Sequence, residues 1–385
     1  MRILIISAWF PSRLHPRHGN FVMRFAERMA ERHTVEVVSV EEDAGLPART
    51  VRVEAHRGAG YAYRTAFYGR GRGGRVGRLL NRGRAWRRVL ATVRTRPDIV
   101  HAHVLVDGGI VAEQWARRRN IPVFITEHAS RYLRGDFGNP LERGLARRAA
   151  RRAAVVLPVS DGLRTAMQAS GIVANFTVLP NFVDESEFRL MAESTAERPF
   201  RILHVSDFSP NKNVAGLLAA AQLLNAQKLA FELWLAGDGD VLTLQRQIKE
   251  AGFPPGQITV SGPHEPAEIA RLMRQSDLFV LNSGYETQGI VLIESLLCGT
   301  PCLTTDAAGA AEIINSDSCF GSVFAQTGGP EELARLLAKK ITAGPSPPAL
   351  RQQISAHARE RYASASVRQQ LEALYAQHLR PDGSC

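Results

Sequence analysis

Short apolar runs recur along the chain at intervals that leave room for one helix between each pair. In the first half they are Ile3–Ser7, Val35–Val40, Ile99–His103, Val123–Thr126, Ala154–Val159 and Thr177–Leu179. In the second half they are Arg201–Ser206, Phe231–Ala236, Gln257–Ser261, Asp277–Asn282, Pro301–Thr304 and Ser322–Phe324. Most are apolar at successive rather than alternate positions, the pattern of strands covered on both faces. Between them, Asn20–Arg32, Gly109–Arg119, Leu141–Ala153 and Gly162–Ala169 read as helices, and so do Val214–Asn225, Val241–Ala251, Pro266–Ser276, Ile290–Cys298, Ala310–Asn315 and Pro330–Ile341. This alternation, run through twice, predicts an α/β protein of two doubly wound, Rossmann-like domains facing a central cleft at the carboxyl ends of their strands. The expected boundaries are 1–180 for the first domain, 181–199 for the crossing and 200–365 for the second. Residues 366–385 are expected to pack back on the first domain.

Composition adds a size and a compartment. A chain of 385 residues with 45% apolar content has material for two cores. No run of eighteen apolar residues is present, and Met1–Ala8 reads as a strand rather than a signal segment. The four cysteines lack CxxC spacing, so free thiols are expected, with Cys298 and Cys302 buried and a cytoplasmic location.

Charge is uneven. Up to Pro180 there are 31 arginines, no lysine and 14 acids; the remainder has 17 basic and 23 acidic residues. Ala55–Pro97 has twelve arginines and no acid, interleaved with residues such as Tyr61, Phe67, Leu79, Leu80 and Trp86. An arginine-only bias explains the missing lysines but not the missing acids. The segment Arg64–Arg96 therefore predicts peripheral docking on an anionic membrane surface, with nucleic acid the weaker alternative.

The chemistry concentrates in SGYETQGIVLIESLLCG, Ser283 to Gly299. Glu286 follows a buried strand, whereas Glu294 lies inside a helix that begins near Gly289. Between them the backbone N–H groups of Thr287, Gln288, Gly289 and Ile290 form a helix start, an anion site. A ligand with central phosphates and hydroxyls at both ends, such as a nucleotide sugar, suits that arrangement. Lys212, in HVSDFSPNKN, sits before another helix start on the same expected rim. In LAGDGD the Asp238-x-Asp240 spacing is that of a metal-binding pair, but such matches arise by chance and Asp238 reads as a turn former between glycines, so no metal is expected. Gly19, in PRHGNF, is either a turn glycine or a close-approach point for a phosphate or acceptor. His128 ends a strand in ITEHAS, while His101 and His103 fit strand-end packing. No GxGxxG follows the first strand, and no dinucleotide cofactor is expected.

These landmarks, with VHAHVL, VLPNFVD, VSGPH and YETQGIVLIESLLCGTPCLTTDAAGAAEII in order over nearly the whole length, resemble retaining glycosyltransferase family 4, of GT-B fold. The resemblance implies transfer of a hexose from a UDP- or GDP-sugar to a saccharide or lipid-linked saccharide, as in envelope or exopolysaccharide synthesis, without a metal or other cofactor. It implies that Glu286 binds donor-sugar hydroxyls and Glu294 the ribose. Lys212 and the amides of Gln288, Gly289 and Ile290 would hold the diphosphate. His128 would contact the sugar, and Gly262 to His264 would lie near the nucleobase. The family often has arginine where this chain has Asp207. A nucleotide-sugar epimerase of related fold and a nucleic-acid-binding protein are the alternative readings.

Overall fold

The alternation folds as two separate sheets. The computed structural model describes residues 1–71, 74–191 and 198–379. It comprises one unit of Met1–Phe182 with the segment that begins at Ser364, and a second of Val183–Ala363. Arg72, the 192–197 part of the expected crossing and Cys385 lie outside the described residues.

In the first unit, β1 (Arg2–Ser7), α1 (Asn20–Ala30) and β2 (Thr34–Glu42) are followed by β3 (Val51–Arg57), β4 (Ala62–Tyr68) and α2 (Gly74–Leu90). Then come β5 (Ile99–His103), α3 (Ile110–Arg117), β6 (Val123–Glu127), α4 (Pro140–Arg152), β7 (Val155–Pro158) and α5 (Asp161–Ala169). The sheet order is β3-β4-β2-β1-β5-β6-β7, parallel throughout except that β3 runs antiparallel to β4. Helix α1 forms because Val22, Phe25, Ala26 and Met29 share one face, all buried. Each large side chain of that face contributes about 1.5–3 kcal/mol by leaving water.

One expectation is corrected here. Thr177–Leu179 is no strand: it runs beside β7 with backbone bonds to Val156 and Pro158 but makes only one isolated bridge, at Phe176. The arginine-rich segment, in which the alternation predicted no element, contributes to β4 and α2. Its acids come from elsewhere in the chain. Arg64 pairs with Glu36, Arg70 and Arg78 with Glu42, and Arg82 with Asp107.

In the second unit, β8 (Phe200–Val205), α6 (Val214–Ala226), β9 (Phe231–Ala236), α7 (Val241–Glu250), β10 (Ile258–Ser261) and α8 (Pro266–Arg274) precede β11 (Leu278–Leu281). They are followed by α9 (Ile290–Leu297), β12 (Cys302–Thr305), α10 (Ala308–Asn315), β13 (Gly321–Phe324), α11 (Gly329–Ala343) and α12 (Pro348–Tyr362). The six strands are parallel in the order β10-β9-β8-β11-β12-β13. Strand order reverses direction between β8 and β11, the switch point outside which ligands bind in open α/β sheets. Cys298 and Cys302 are fully buried in this unit's core.

The last helix, α13 (Ser364–His378), belongs to the first unit. Val367, Leu371 and Tyr375 join a core of Ile3, Ile5, Phe25, Ile99 and Phe124. Its rim is tied by an Arg368–Glu31 ion pair and a 2.9 Å contact of His33 with Glu372.

Candidate functional site

At the switch point of the second unit, the loops that leave β8 and β11 meet. Lys212 ends a short 3-10 turn, Pro210–Lys212, and its Nζ lies 2.6 Å from Glu286 Oε1. Both side chains are mostly buried, so the pair is partly withdrawn from solvent screening. Asn211 holds the two loops in register. Its Nδ2 donates to the Tyr285 carbonyl at 3.0 Å, and its Oδ1 accepts from the Tyr285 N–H at 3.0 Å. The Gly284 N–H donates to the Asn211 carbonyl at 2.8 Å, and Asn282 Nδ2 donates to the Asn213 carbonyl at 3.1 Å. From below, Thr305 Oγ1 donates to the Ser283 carbonyl at 2.6 Å. Asn213 adopts φ 45 and caps α6 by accepting from the Gly216 N–H. Sequence reasoning missed Asn211 and its neighbours, because their partners lie about seventy residues away.

The N-cap of helix α9 is Gly289, whose φ of 90 is a left-handed conformation suited to glycine and which offers no side chain to cap the first turn. Thr287 and Gln288 form the approach to it; Gly309 packs so closely there that a Cβ would sit 2.6 Å from the Thr287 carbonyl carbon. Ile290 is the first helical residue, and Glu294 lies one turn on, buried. Gly262 and His264 follow the edge strand β10, with His264 Nε2 2.8 Å from Ser261 Oγ. They are therefore on the same sheet end but two strands from β8.

Asp207 is exposed and closes its own turn: its Oδ1 accepts from the Ser209 N–H at 3.0 Å and from Ser209 Oγ at 2.8 Å. Asp240 caps α7 by accepting from the Thr243 N–H and hydroxyl, which hold its carboxyl below the usual carboxylate value. Gly237 and Gly239 lie against the β8 loop, where a Cβ would meet the Ser206 carbonyl at 1.7 Å and the Asp207 carbonyl at 2.4 Å.

In the first unit, the sequence-selected residues fall at the ends of β1 and β6. Gly19 precedes α1 at φ 75, and a Cβ there would lie 2.3 Å from the Trp9 carbonyl oxygen. Backbone approach alone thus requires glycine. His128 is buried behind Phe21, with ring centroids 4.2 Å apart. Its Nε2 lies 2.9 Å from His103 Nδ1. His101, His103 and His128 stack in series at 5.0 and 5.2 Å. Burial pushes His101 and His128 well below the ordinary histidine value and His103 to about 3, so the stack is neutral at pH 7. Glu127 accepts from the N–H groups of Leu105, His128 and Ala129, but burial still raises its carboxyl. That carboxylate fixes the backbone on which His128 sits.

Two parallel-sheet α/β units in tandem, with a basic side chain and a carboxylate at the second switch point, define the GT-B class. Solved structures share the fold. Sucrose-phosphate synthase from Thermosynechococcus elongatus superposes with a TM-score of 0.75 at 18% identity, covering 98% of each chain. HepE from Anabaena, in complex with UDP-glucose, gives 0.69 at 19% identity, covering 98% of this chain and 99% of that one. Two family models match consecutively: "Glycosyltransferase Family 4" over residues 18–187 and "Glycosyl transferases group 1" over residues 187–361. The chain belongs to the family 4, group 1 glycosyltransferases. Glycogen synthase of Mycobacterium tuberculosis is 25% identical over 237 residues, 57% of this chain and 54% of that protein. The chain thus spans about half the length of the curated relatives it matches.

Proposed function

We propose that the protein transfers a hexose, with retention, from a UDP- or GDP-sugar to a saccharide or lipid-linked saccharide in polysaccharide or glycolipid synthesis. The observation that carries this reading is the Lys212–Glu286 pair held at the β8/β11 switch point. An arriving diphosphate competes with Glu286 for the Lys212 ammonium, which frees the carboxylate to accept from sugar hydroxyls. The start of α9, whose N-cap is a glycine, brings the N–H groups of Gln288, Gly289 and Ile290 and adds fixed positive dipole ends for the same phosphates. Glu294 is assigned to the ribose, Gly262 and His264 to the base, and His128 to the sugar. Gly19 is assigned to the phosphate or acceptor loop.

In the reaction, the bond between the anomeric carbon and the phosphate oxygen breaks while the acceptor oxygen bonds on the same face. The acceptor proton passes to the departing diphosphate. Charge accumulates on that diphosphate, and Lys212 with the oriented amides stabilises it without requiring a divalent ion or other cofactor. That HepE is solved with UDP-glucose supports testing uridine donors first. The proposed location is cytoplasmic, peripheral on an anionic membrane through α2, which exposes Val76, Leu79 and Leu80 beside Arg75 and Arg87. No described helix is long and apolar enough to cross a membrane.

Calorimetric titration with UDP-, GDP- and ADP-sugars tests the reading. One class should bind, with affinity lost in Lys212→Ala; wild-type protein that binds none of them would sink it. Incubation with that donor alone separates the epimerase alternative, which would interconvert the sugar.

A further inference from the structure

Three buried histidines in series leave two ring nitrogens without a partner: His103 Nε2 and His128 Nδ1. The other end of the stack is pinned, because His101 Nδ1 lies 2.5 Å from the Tyr375 hydroxyl and His101 Nε2 2.7 Å from Thr126 Oγ1. Immediately after His103 the chain takes an unusual path. Val104, a β-branched residue, adopts φ 66 and opens a π-helical turn over Val104–Gly109. Strain of that kind persists only where surrounding structure enforces it, and it concentrates at functional sites.

A neutral pair 2.9 Å apart shares one proton, so two arrangements exist. If His128 Nε2–H donates, the remaining proton of His103 lies on Nε2, buried and without a partner, in a ring flanked by Phe25 and His101 at centroid distances of 4.7 and 5.0 Å. If His103 Nδ1–H donates, the orphan donor is instead His128 Nδ1–H, on the residue at the strand end that the proposed function assigns to a ligand. An unsatisfied buried N–H is costly, and the second arrangement puts it on the residue to which the proposed function assigns a ligand, whose oxygen can then satisfy it.

We infer that His103 is a positioning residue: it donates its Nδ1 proton to His128 Nε2 and thereby holds His128 as the Nδ1–H tautomer, a donor to a ligand oxygen. The inference rests on the transferase reading for its purpose but not for its test. In long-range proton–nitrogen spectra of 15N-histidine-labelled protein, His128 should show a protonated Nδ1 and a bare Nε2. A protonated His128 Nε2 in the wild type overturns the assignment, whatever the variants do.

The variants carry the second arm. His103→Asn places an amide where Nδ1 stood and should retain both the tautomer and turnover. His103→Leu removes the donor; it should shift the His128 tautomer and lower kcat about 10- to 100-fold, with a smaller change in donor KM. An unchanged His128 tautomer in His103→Leu overturns the positioning role. Should no nucleotide sugar support transfer while the Nδ1–H tautomer is seen and responds to His103→Leu, the tautomer assignment stands and the transferase reading falls.

Discussion

At the scale of single residues, two kinds of constraint act on the candidate site. The first is electrostatic. Lys212 and Glu286 form a short, mostly buried pair, so removing either leaves the other charge poorly compensated as well as deleting the ligand contact proposed for it. Lys212→Ala should therefore lower kcat for sugar transfer about 10²–10³-fold, the usual effect of losing one preorganised donor. A steady-state assay with saturating donor checks this, and full activity would remove Lys212 from the site. The second constraint is steric. Gly19→Ala puts a Cβ against the Trp9 carbonyl in a left-handed conformation and should cost about 3 kcal/mol, read from denaturant midpoints. Both residues could be picked from the sequence by their position just before a helix start. Asn211 could not, since nothing local marks an asparagine whose amide is spent on Tyr285.

At the scale of elements, continuous apolar runs and the helices between them were legible, whereas the charged elements β3, β4 and α2 were not. Strands β5 and β6, buried at every position, stand out in the sequence. The β3–β4 pair does not, because β3 is a half-solvated edge carrying Arg52, Glu54, His56 and Arg57. Helix α2 is hidden for a similar reason: arginines paired to distant acids look like unneutralised charge in one dimension. Its three exposed apolar side chains give the membrane proposal a sharper form. Leu79→Ser with Leu80→Ser should reduce binding to vesicles containing phosphatidylglycerol without moving the melting temperature, and added salt should weaken the wild type. Equal binding of wild type to neutral vesicles would contradict docking through charge. Helix α13 makes an opposite case. Leu371 is fully buried against the first unit, so Leu371→Ala should destabilise that unit by about 2–5 kcal/mol, measured by chemical denaturation.

At the scale of the whole molecule, the α/β class and paired Rossmann-like units follow from a single repeated pattern, which single substitutions or one misread strand such as Thr177–Leu179 do not disturb. Buried histidines add a property that belongs to the entire chain. His101, His103 and His128, together with His204 at about 4, have folded values below the ordinary 6.5 because burial disfavours their charged forms. Below 6.5 the unfolded chain binds more protons than the folded one. Stability from these groups is full above that pH and is lost as pH falls towards 4–3, each at up to about 1.4 kcal/mol per unit. Glu127, raised by burial, runs the other way but is one group against four. Urea midpoints should fall between pH 7 and pH 5; a rise would show that other groups dominate.

The placement of α13 has a consequence for how the protein is made. The first unit needs residues from Ser364 onward to cover Ile3, Ile5 and His101, yet 181 residues of the second unit, Val183–Ala363, are translated in between. At about 5–20 residues per second, the nascent first unit waits roughly 10–40 s with that apolar surface uncovered. The second unit, contiguous in sequence, can close as soon as it leaves the ribosome. The part of the chain synthesised first is therefore the part that finishes folding last, and it is there that a chaperone would be expected to bind during synthesis.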